Sequence, residues 1–291
     1  MLRYWIVLEI VLIGKEEKMA LVKFNILSRT LGRQVDVNAV VPSYTLSRSM
    51  KESFDQIYDP NRKYKMLMLL HGVTGDCNDY INYTNVVRYA EDNNFVVIIP
   101  SGFNSGYCNA ESGEKYRNFI AEELVAVARY MFPVSDKYED TYIAGLSMGA
   151  MGSAMIALAY PEVFRQAWCM SGAPSFIEEP KEGEVRGIHW FGEDPNVYHG
   201  NSIGGDPMKK KNTIEDAYFT AKDNIEKNKP MPKFTFTIGD KDFLLESTER
   251  FVKYMIELGY DVNYEIVAGY GHEWDFWDLK IREALYTGLD R

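Results

Sequence analysis

The sequence predicts an α/β protein whose core is a doubly wound, mostly parallel sheet. Three observations lead to this fold class: strands and helices alternate along most of the chain, a central strand is apolar throughout, and a serine between glycines stands where a strand runs into a helix. Alternating strands and helices form right-handed βαβ units that place helices on both faces of one sheet. Functional side chains are therefore expected at the carboxyl ends of the strands.

The elements are predicted in order along the chain. Residues 20–28 and 34–42 alternate between apolar and polar, which is typical of two antiparallel edge strands. Residues 43–64 are polar and are expected to form a loop. The other strands are predicted at 65–71, 95–100, 140–146, 166–171, 233–238 and 262–268, and the helices at 79–92, 115–131, 149–159, 213–227, 246–258 and 275–288.

The turn at residues 145–149 has the sequence Gly-Leu-Ser-Met-Gly, between a short β-prone run and an alanine-rich helix. This is the pattern of a nucleophile elbow, in which a sharp strand-to-helix turn exposes the serine hydroxyl. Glycines two residues before and after the serine leave room for the neighbouring strand and helix. Ser147 is therefore the predicted nucleophile, although an ordinary β–α turn is the plainer interpretation.

Candidates for a base and an acid follow in the chain order Ser, Asp, His that this turn accompanies in hydrolases. His272 lies in the glycine-containing loop after the strand 262–268, and it is expected to take the proton from Ser147. Asp240 and Asp242 both follow the strand 233–238, and spacing alone leaves either of them open as the acid. Each of these three residues is also common in plain surface turns.

The loop after the apolar strand 66–70 begins His-Gly-Val-Thr-Gly at residue 71. A loop in this place supplies one backbone N–H of an oxyanion hole, and the residue after the nucleophile supplies the other. Val73 and Met148 are the predicted donors. A simple strand-ending turn is the alternative for the His-Gly pair.

These motifs together resemble those of the α/β-hydrolase esterases. The similarity extends from about Phe24 to Leu289 and is nearest to tributyrin, acetyl and feruloyl esterases, which are related to S-formylglutathione hydrolase. The resemblance implies an α/β-hydrolase fold, a small cap insertion at about 175–232, and Asp242 rather than Asp240 as the acid, because the acid precedes a Phe-Leu pair. Cys77 lies two residues beyond Gly75 rather than directly in the loop, which departs from S-formylglutathione hydrolases.

Aromatic residues near these motifs are candidates for substrate binding. Trp190 lies in the expected cap, Tyr107 in the loop after strand 95–100, and Trp274 beside His272. Phe191 and Tyr198 are further cap candidates. Each is also a candidate for ordinary packing of the core or the cap.

The expected function is a serine esterase that forms an acyl-enzyme and needs no cofactor or metal. We expect short acetyl or butyryl esters or hydroxycinnamoyl esters, with plant-polysaccharide fragments among the alcohols. The alternatives are a thioesterase like S-formylglutathione hydrolase, an acyltransferase that uses the same three residues, and a binding protein without catalysis. The last is disfavoured because a complete set of catalytic residues is present.

Composition limits the partners and the compartment. A net charge of −10 disfavours nucleic acid and anionic membranes as partners, so a small-molecule ester is the expected partner, with a homo-oligomer left open. The 3 cysteines cannot all pair within the chain, which favours a reduced, cytoplasmic setting.

Residues 1–18 are expected to be a non-native extension, with residues 19–291 forming one domain. The segment is too short to span a bilayer, and Glu9 interrupts its apolar run. Residues 14–18, Gly-Lys-Glu-Glu-Lys, are what a purine-rich ribosome-binding sequence gives when translated, so Met19 is the expected start.

Overall fold

Eight strands form one sheet in the computed structural model, which describes residues 19–43, 49–110, 113–175 and 207–289. In chain order the strands are β1 (Met19–Ser28), β2 (Arg33–Pro42), β3 (Lys65–Leu70), β4 (Phe95–Pro100), β5 (Thr141–Leu146), β6 (Gln166–Met170), β7 (Lys233–Gly239) and β8 (Val262–Val267). Across the sheet their order is β1-β2-β4-β3-β5-β6-β7-β8. β2 runs antiparallel to β1 and β4, and the neighbouring pairs from β4 to β8 are parallel. The predicted doubly wound, mostly parallel sheet is confirmed.

Both faces of the sheet are covered by apolar packing. Along β3, Met66, Met68 and Leu70 belong to one core cluster, whereas Leu67 and Leu69 belong to a second cluster on the opposite face. Successive side chains of a strand point to opposite faces, so a strand buried on both faces must be apolar at every position. This is why the continuous apolar run predicted the strand correctly.

Helices cover the sheet on both sides. They are α1 (Phe54–Ile57), α2 (Asp79–Tyr83), α3 (Val86–Asp92), α4 (Tyr116–Asn118), α5 (Val125–Met131), α6 (Met148–Ala159), α7 (Pro207–Lys210), α8 (Ala217–Glu226), α9 (Leu245–Glu257) and α10 (Trp274–Glu283). A π-helical segment, Phe119–Leu124, joins α4 to α5, and a second one, Ala284–Gly288, continues α10.

Two sequence predictions differ from the structure in detail. The predicted helix 79–92 is two helices because Thr84 is extended between them, and its hydroxyl oxygen accepts a hydrogen bond from the N–H of Val86 at the start of α3. The expected loop 43–64 contains α1, which Ser53 and Gln56 cap reciprocally. Both differences arise from capping side chains that periodicity does not reveal.

The predicted cap at 175–232 is only partly described, since residues 176–206 lie outside the described residues. In the described part, α8 packs beside α6, where the Asn224 side chain donates to the Leu158 carbonyl oxygen over 2.7 Å. Tyr260 donates from its hydroxyl to the Ala221 carbonyl oxygen over 3.0 Å. Residues from 217 onward therefore belong to the helical layer of the domain. Residues 1–18 also lie outside the described residues.

The strand order places the switch in winding direction at β3. The chain passes from β3 to β4 on one side and then crosses to β5 on the other side. In open α/β sheets, ligands bind beyond the carboxyl ends of the strands at such a point. The loops after β3 and β5 carry the predicted oxyanion donors and the predicted nucleophile, so these motifs meet there.

Candidate active site

Ser147 occupies the turn between β5 and α6, as the sequence predicted. Its backbone has φ 52° and ψ −117°, a conformation that non-glycine residues rarely adopt. A Cβ on Gly145 would lie 2.4 Å from the Gly149 backbone, and a Cβ on Gly149 would lie 2.2 Å from the Leu70 carbonyl oxygen. The two glycines therefore let α6 pack directly against β3 and β5, which forces the sharp turn at the serine.

His272 and Asp242 complete a hydrogen-bonded row with Ser147. The Nε2 atom of His272 lies 2.9 Å from the Ser147 Oγ atom, and its Nδ1 atom lies 2.9 Å from the Asp242 Oδ2 atom. Asp240 instead accepts a hydrogen bond from the N–H of Gly269 over 2.7 Å. The structure therefore brings Asp242 to the histidine, and Asp240 holds the loop that carries it.

The Asp242 carboxylate is buried but well provided with donors. Burial alone raises its pKa, but hydrogen bonds from His272, the Leu244 N–H and the Ser171 side chain outweigh burial, so its pKa lies below the usual value. An ionised carboxylate accepts hydrogen bonds only, so His272 carries its proton on Nδ1. The unprotonated Nε2 is then free to accept the proton of the Ser147 hydroxyl.

The loop after β3 approaches Ser147 closely. A Cβ on Gly72 would lie 3.5 Å from the Ser147 Cβ and 2.7 Å from the Leu146 side chain. Val73 follows Gly72, and the N–H of Thr74 donates to the Asn104 side chain over 2.7 Å. Met148 is the first residue of α6, where backbone N–H groups have no partner within the helix. The loop and the helix start thus flank Ser147.

His71 is a structural histidine rather than a base. It is fully buried, and burial lowers its pKa. Its Nε2 accepts from the Gly102 N–H over 2.8 Å, and its Nδ1 lies 2.7 Å from the Gly72 carbonyl oxygen. The neutral ring therefore ties the loop after β3 to the loop after β4.

Of the predicted pocket residues, Tyr107 is placed differently from the prediction. Its side chain has no exposed surface, and its hydroxyl donates to the His71 carbonyl oxygen over 3.1 Å. The ring also fills the space over Gly102 and Gly152, where a Cβ would lie 2.3 Å and 2.6 Å from it. Tyr107 therefore supports the loop after β3 from below. Glycine-rich surroundings suggested an open pocket, but they make room for this ring.

Trp274 lies at the edge of the site, half-buried. Its ring contacts Tyr83 at a centroid distance of 4.9 Å and Trp277 at 5.0 Å. Trp190, with Phe191 and Tyr198, lies outside the described residues.

Two aromatic residues that sequence reasoning missed contact His272 directly. The Phe243 ring lies 4.7 Å from the imidazole, measured between centroids, and is 59% exposed. The Trp277 ring lies 5.0 Å from the imidazole at an angle of 88°, so its contact is edge to face. Phe243 adjoins Asp242 in the chain, and this adjacency could have predicted that Phe243 lies near His272.

Backbone strain is concentrated around the site. Among the described non-glycine residues with positive φ, those that are not asparagine are Thr74, Phe103, Tyr107, Ser147 and Ser171. They lie in the loops after β3, β4, β5 and β6, at the carboxyl ends of the strands. Strained conformations persist where the surroundings over-determine them, and they cluster at functional sites.

Two other kinds of feature are absent from the described residues. No cluster of three or more potential metal-ligating side chains occurs among the described residues. No helix within the described ranges has the length and apolar character needed to cross a membrane.

The family assignment follows from residues 43–286, which match the family model described as Esterase, putative esterase. The chain belongs to this esterase family. Its curated relatives include the acetyl esterase of Caldicellulosiruptor saccharolyticus, which is 28% identical over 268 residues, 92% of this chain and 97% of the relative. The protein is therefore an esterase, as the sequence predicted.

Two solved structures extend the similarity to three dimensions. The fluorophosphonate-binding serine hydrolase F of Staphylococcus aureus has a TM-score of 0.77 at 26% identity, covering 94% of this chain and 99% of that chain. The S-formylglutathione hydrolase of the same organism has a TM-score of 0.74 at 26% identity, with the same coverage of 94% and 99%. The α/β-hydrolase fold and the resemblance to this group of esterases are confirmed.

Proposed function

We propose that this esterase hydrolyses short-chain carboxylic esters through an acyl-enzyme, with Ser147 as nucleophile, His272 as base and Asp242 as the orienting acid. The observation that carries the proposal is the hydrogen-bonded row of these side chains, with both links at 2.9 Å. The row stands at the carboxyl end of the sheet, on a strained serine turn.

The chemistry follows from the positions of the donors and acceptors. Ser147 Oγ attacks the ester carbonyl carbon while its proton moves to Nε2 of His272, and the Asp242 carboxylate stabilises the resulting imidazolium. Collapse of the tetrahedral intermediate breaks the ester C–O bond, and His272 gives its proton to the departing alcohol. Water then repeats the sequence on the acyl-serine and releases the carboxylic acid.

The oxyanion is proposed to accept hydrogen bonds from the backbone N–H groups of Val73 and Met148. The closeness of Gly72 to Ser147 and the start of α6 at Met148 support this role. The positive end of the α6 dipole also favours negative charge at this position. Each such donor contributes a factor of about 10²–10³ to the rate.

Acetyl and butyryl groups are the proposed acyl chains. The support is the acetyl esterase relative, because the alignment covers 97% of its length. Hydroxycinnamoyl esters are the second acyl class, and plant-polysaccharide fragments are the proposed alcohols. Phe243, whose ring contacts His272, and Trp274, which is half-buried and follows His272 by two residues in the chain, are the described aromatic residues proposed to contact the substrate.

A thioesterase acting on S-formylglutathione is the alternative function. The structural similarity to the staphylococcal S-formylglutathione hydrolase favours it. Cys77 is buried, its carbonyl oxygen accepts from Asn38 over 2.7 Å, and burial raises the pKa of its thiol. Cys77 belongs to the apolar cluster on one face of the sheet, so its thiol lies in the core.

A cytoplasmic location is also proposed. Cys77, Cys108 and Cys169 are all buried and unpaired, which is typical of proteins from a reducing compartment. Fractionation of the native cells, with detection of the protein in the soluble or the exported fraction, tests this proposal.

The function is tested by a panel of substrates with the purified protein and its Ser147→Ala variant. The substrates are p-nitrophenyl acetate, butyrate and octanoate, methyl ferulate and S-formylglutathione. Activity that falls with chain length and is reduced at least about 10⁴-fold in Ser147→Ala supports the short-chain serine esterase. Preference for S-formylglutathione favours the thioesterase, and undiminished turnover by Ser147→Ala contradicts both.

A further inference from the structure

The segment Met170–Ser171–Gly172, at the end of β6, contacts both Ser147 and β7, the strand that precedes Asp242. The Met170 carbonyl oxygen accepts from the Ser147 N–H over 2.9 Å, and a Cβ on Gly172 would lie 2.9 Å from the Ser147 carbonyl oxygen. Between them, the N–H of Ser171 donates to the Thr237 carbonyl oxygen of β7 over 2.8 Å. Ser171 is fully buried and has φ 55°, so it is held in a strained position beside both strands that carry the site.

The hydrogen bonds of Ser171 have a defined direction. The indole Nε1 of Trp277 donates to the Ser171 Oγ atom over 2.9 Å. An indole N–H can only donate, so the serine oxygen is the acceptor and its own O–H must donate elsewhere. The Asp242 carboxylate is the acceptor that fits, since the Ser171 side chain is among the groups whose hydrogen bonding lowers its pKa.

We propose that Trp277 and Ser171 form a relay that holds the Asp242 carboxylate toward His272. Trp277 donates to Ser171, Ser171 donates to Asp242, and the Trp277 ring also packs edge-on against the His272 imidazole at 5.0 Å. Ser171 is a positioning residue, because it acts through Asp242. The relay rests on the proposed function, since it orients the acid of that mechanism.

The relay has a consequence for the charge at the site. A donor that disperses charge from the Asp242 carboxylate leaves less charge on the Oδ2 atom that faces His272. Removing the donor concentrates charge there, so the imidazolium of His272 is held more strongly and its proton is lost at higher pH. A serine that merely packs in the core has no such effect.

The test is a double-mutant cycle of Ser171→Ala and Trp277→Phe, with kcat, KM and the pH profile of kcat/KM measured on p-nitrophenyl acetate. For Ser171→Ala we expect kcat to fall about 10-fold with KM unchanged, as for loss of one hydrogen bond to a charged group. We expect the acidic limb of the profile to move up by at least about 0.3 pH unit. Alanine keeps the Cβ of serine, so the strain at φ 55° is matched.

Trp277→Phe keeps an aromatic ring beside His272 and removes only the indole donor. It is expected to shift the acidic limb in the same direction by a smaller amount. The double variant is expected to behave as Ser171→Ala alone, because the tryptophan acts through the serine.

Ser135→Ala is the matched control. Ser135 is also buried and donates to a carboxylate, Asp140, over 2.6 Å, but it lies next to the start of β3, at the opposite end of the sheet. This variant is expected to leave the pH profile unchanged. Thermal melting of all variants shows which of them are folded.

The relay is overturned if folded Ser171→Ala keeps kcat within about twofold and its acidic limb within about 0.1 unit of the wild type. It is also overturned if the effects of the two substitutions multiply independently. Ser147→Ala assayed alongside separates the two claims. Loss of activity there with an unaffected Ser171→Ala removes only the relay, whereas full activity in Ser147→Ala removes the proposed function.

Discussion

Asp242 and Glu91 are two carboxylates at opposite ends of the sheet, equally withdrawn from solvent at 5% and 6% exposure. Hydrogen bonds to Asp242 outweigh its burial and hold its pKa below the usual value. Neither carboxyl oxygen of Glu91 has a hydrogen-bond partner of normal geometry within the described residues. Burial raises its pKa to about 7, against a smaller favourable effect of the Ser43 backbone.

The difference shows that the number of hydrogen-bond donors around a buried carboxyl group, rather than the extent of its burial, decides whether the group is charged. At the carboxyl ends of the strands, loops converge and provide N–H and O–H groups for Asp242, so its charge is available to His272. Glu91 lies near the end of α3, where the backbone of Ser43, just after β2, lowers its pKa by less than burial raises it. Of these two carboxylates, only Asp242, which has a proposed role, is stabilised in its charged form.

The largest effect on activity is expected from removing the charge of Asp242, so that it resembles the neutral form of Glu91. Asp242→Asn keeps the shape of the side chain but removes the charge and presents an amide to His272, which favours the wrong tautomer. We expect kcat/KM for p-nitrophenyl acetate to fall about 10⁴-fold. Asp240→Asn is the matched control, and a comparable loss in that variant would transfer the acid role to Asp240.

A smaller effect is expected from loosening the support beneath the loop after β3. Tyr107→Phe removes the hydrogen bond to the His71 carbonyl oxygen and keeps the ring that fills the core. We expect kcat to fall about 2–10-fold, in line with the loss of one hydrogen bond that orients the loop.

The control for Tyr107 is Tyr142→Phe, which removes a tyrosine-to-carbonyl hydrogen bond at the start of β5, away from the site. This variant is expected to change melting temperature but not kcat. Equal losses of kcat in both variants would show that stability, and not loop position, limits the rate.

Glu91 lies near the amino ends of the strands, away from the site. Glu91→Gln is expected to leave the catalytic rate unchanged and to change how the stability of the protein depends on pH. Because the folded pKa of Glu91 is raised from 4.5 to about 7, its contribution to stability is fully present below pH 4.5 and is lost as the pH rises through 7. Glu91→Gln is therefore expected to raise the melting temperature at pH 8 by roughly 2–4 °C and to have little effect at pH 5.

Glu162→Gln, at an exposed position, is the control for Glu91. Differential scanning calorimetry at both pH values measures the shifts. A melting temperature of Glu91→Gln that equals the wild type at pH 8 would show that the buried carboxyl group is already compensated.

Most of the strands, and the candidate residues in the chain order Ser, Asp, His, could be predicted from the sequence because both depend on local patterns. The apolar run of β3 reflects its burial on both faces, and the glycines around Ser147 reflect the close packing of α6 against β3 and β5. Asp242 and Asp240 were not separable by spacing, since the choice depends on which carboxylate reaches a loop 30 residues away. That contact exists only once β7 and β8 are paired.

The positions of Tyr107 and Ser171 also depend on contacts that local patterns do not reveal. Tyr107 was predicted at the pocket because glycines surround it, but those glycines accommodate its buried ring. Ser171 follows a buried strand without any local motif, and its importance lies in a positive φ and in partners more than 60 residues distant in sequence. Trp190 belongs to residues 176–206, outside the described residues, so its proposed role in binding stays a prediction.

The central claim is that Ser147 is a nucleophile activated by His272 and Asp242. Its most direct test is reaction with a fluorophosphonate probe followed by peptide mapping by mass spectrometry, on the wild type, Ser147→Ala and Asp242→Asn. The account predicts one label per chain on Ser147, none in Ser147→Ala, and much slower labelling in Asp242→Asn. Labelling of another residue, or equal labelling rates in the wild type and Asp242→Asn, would contradict it.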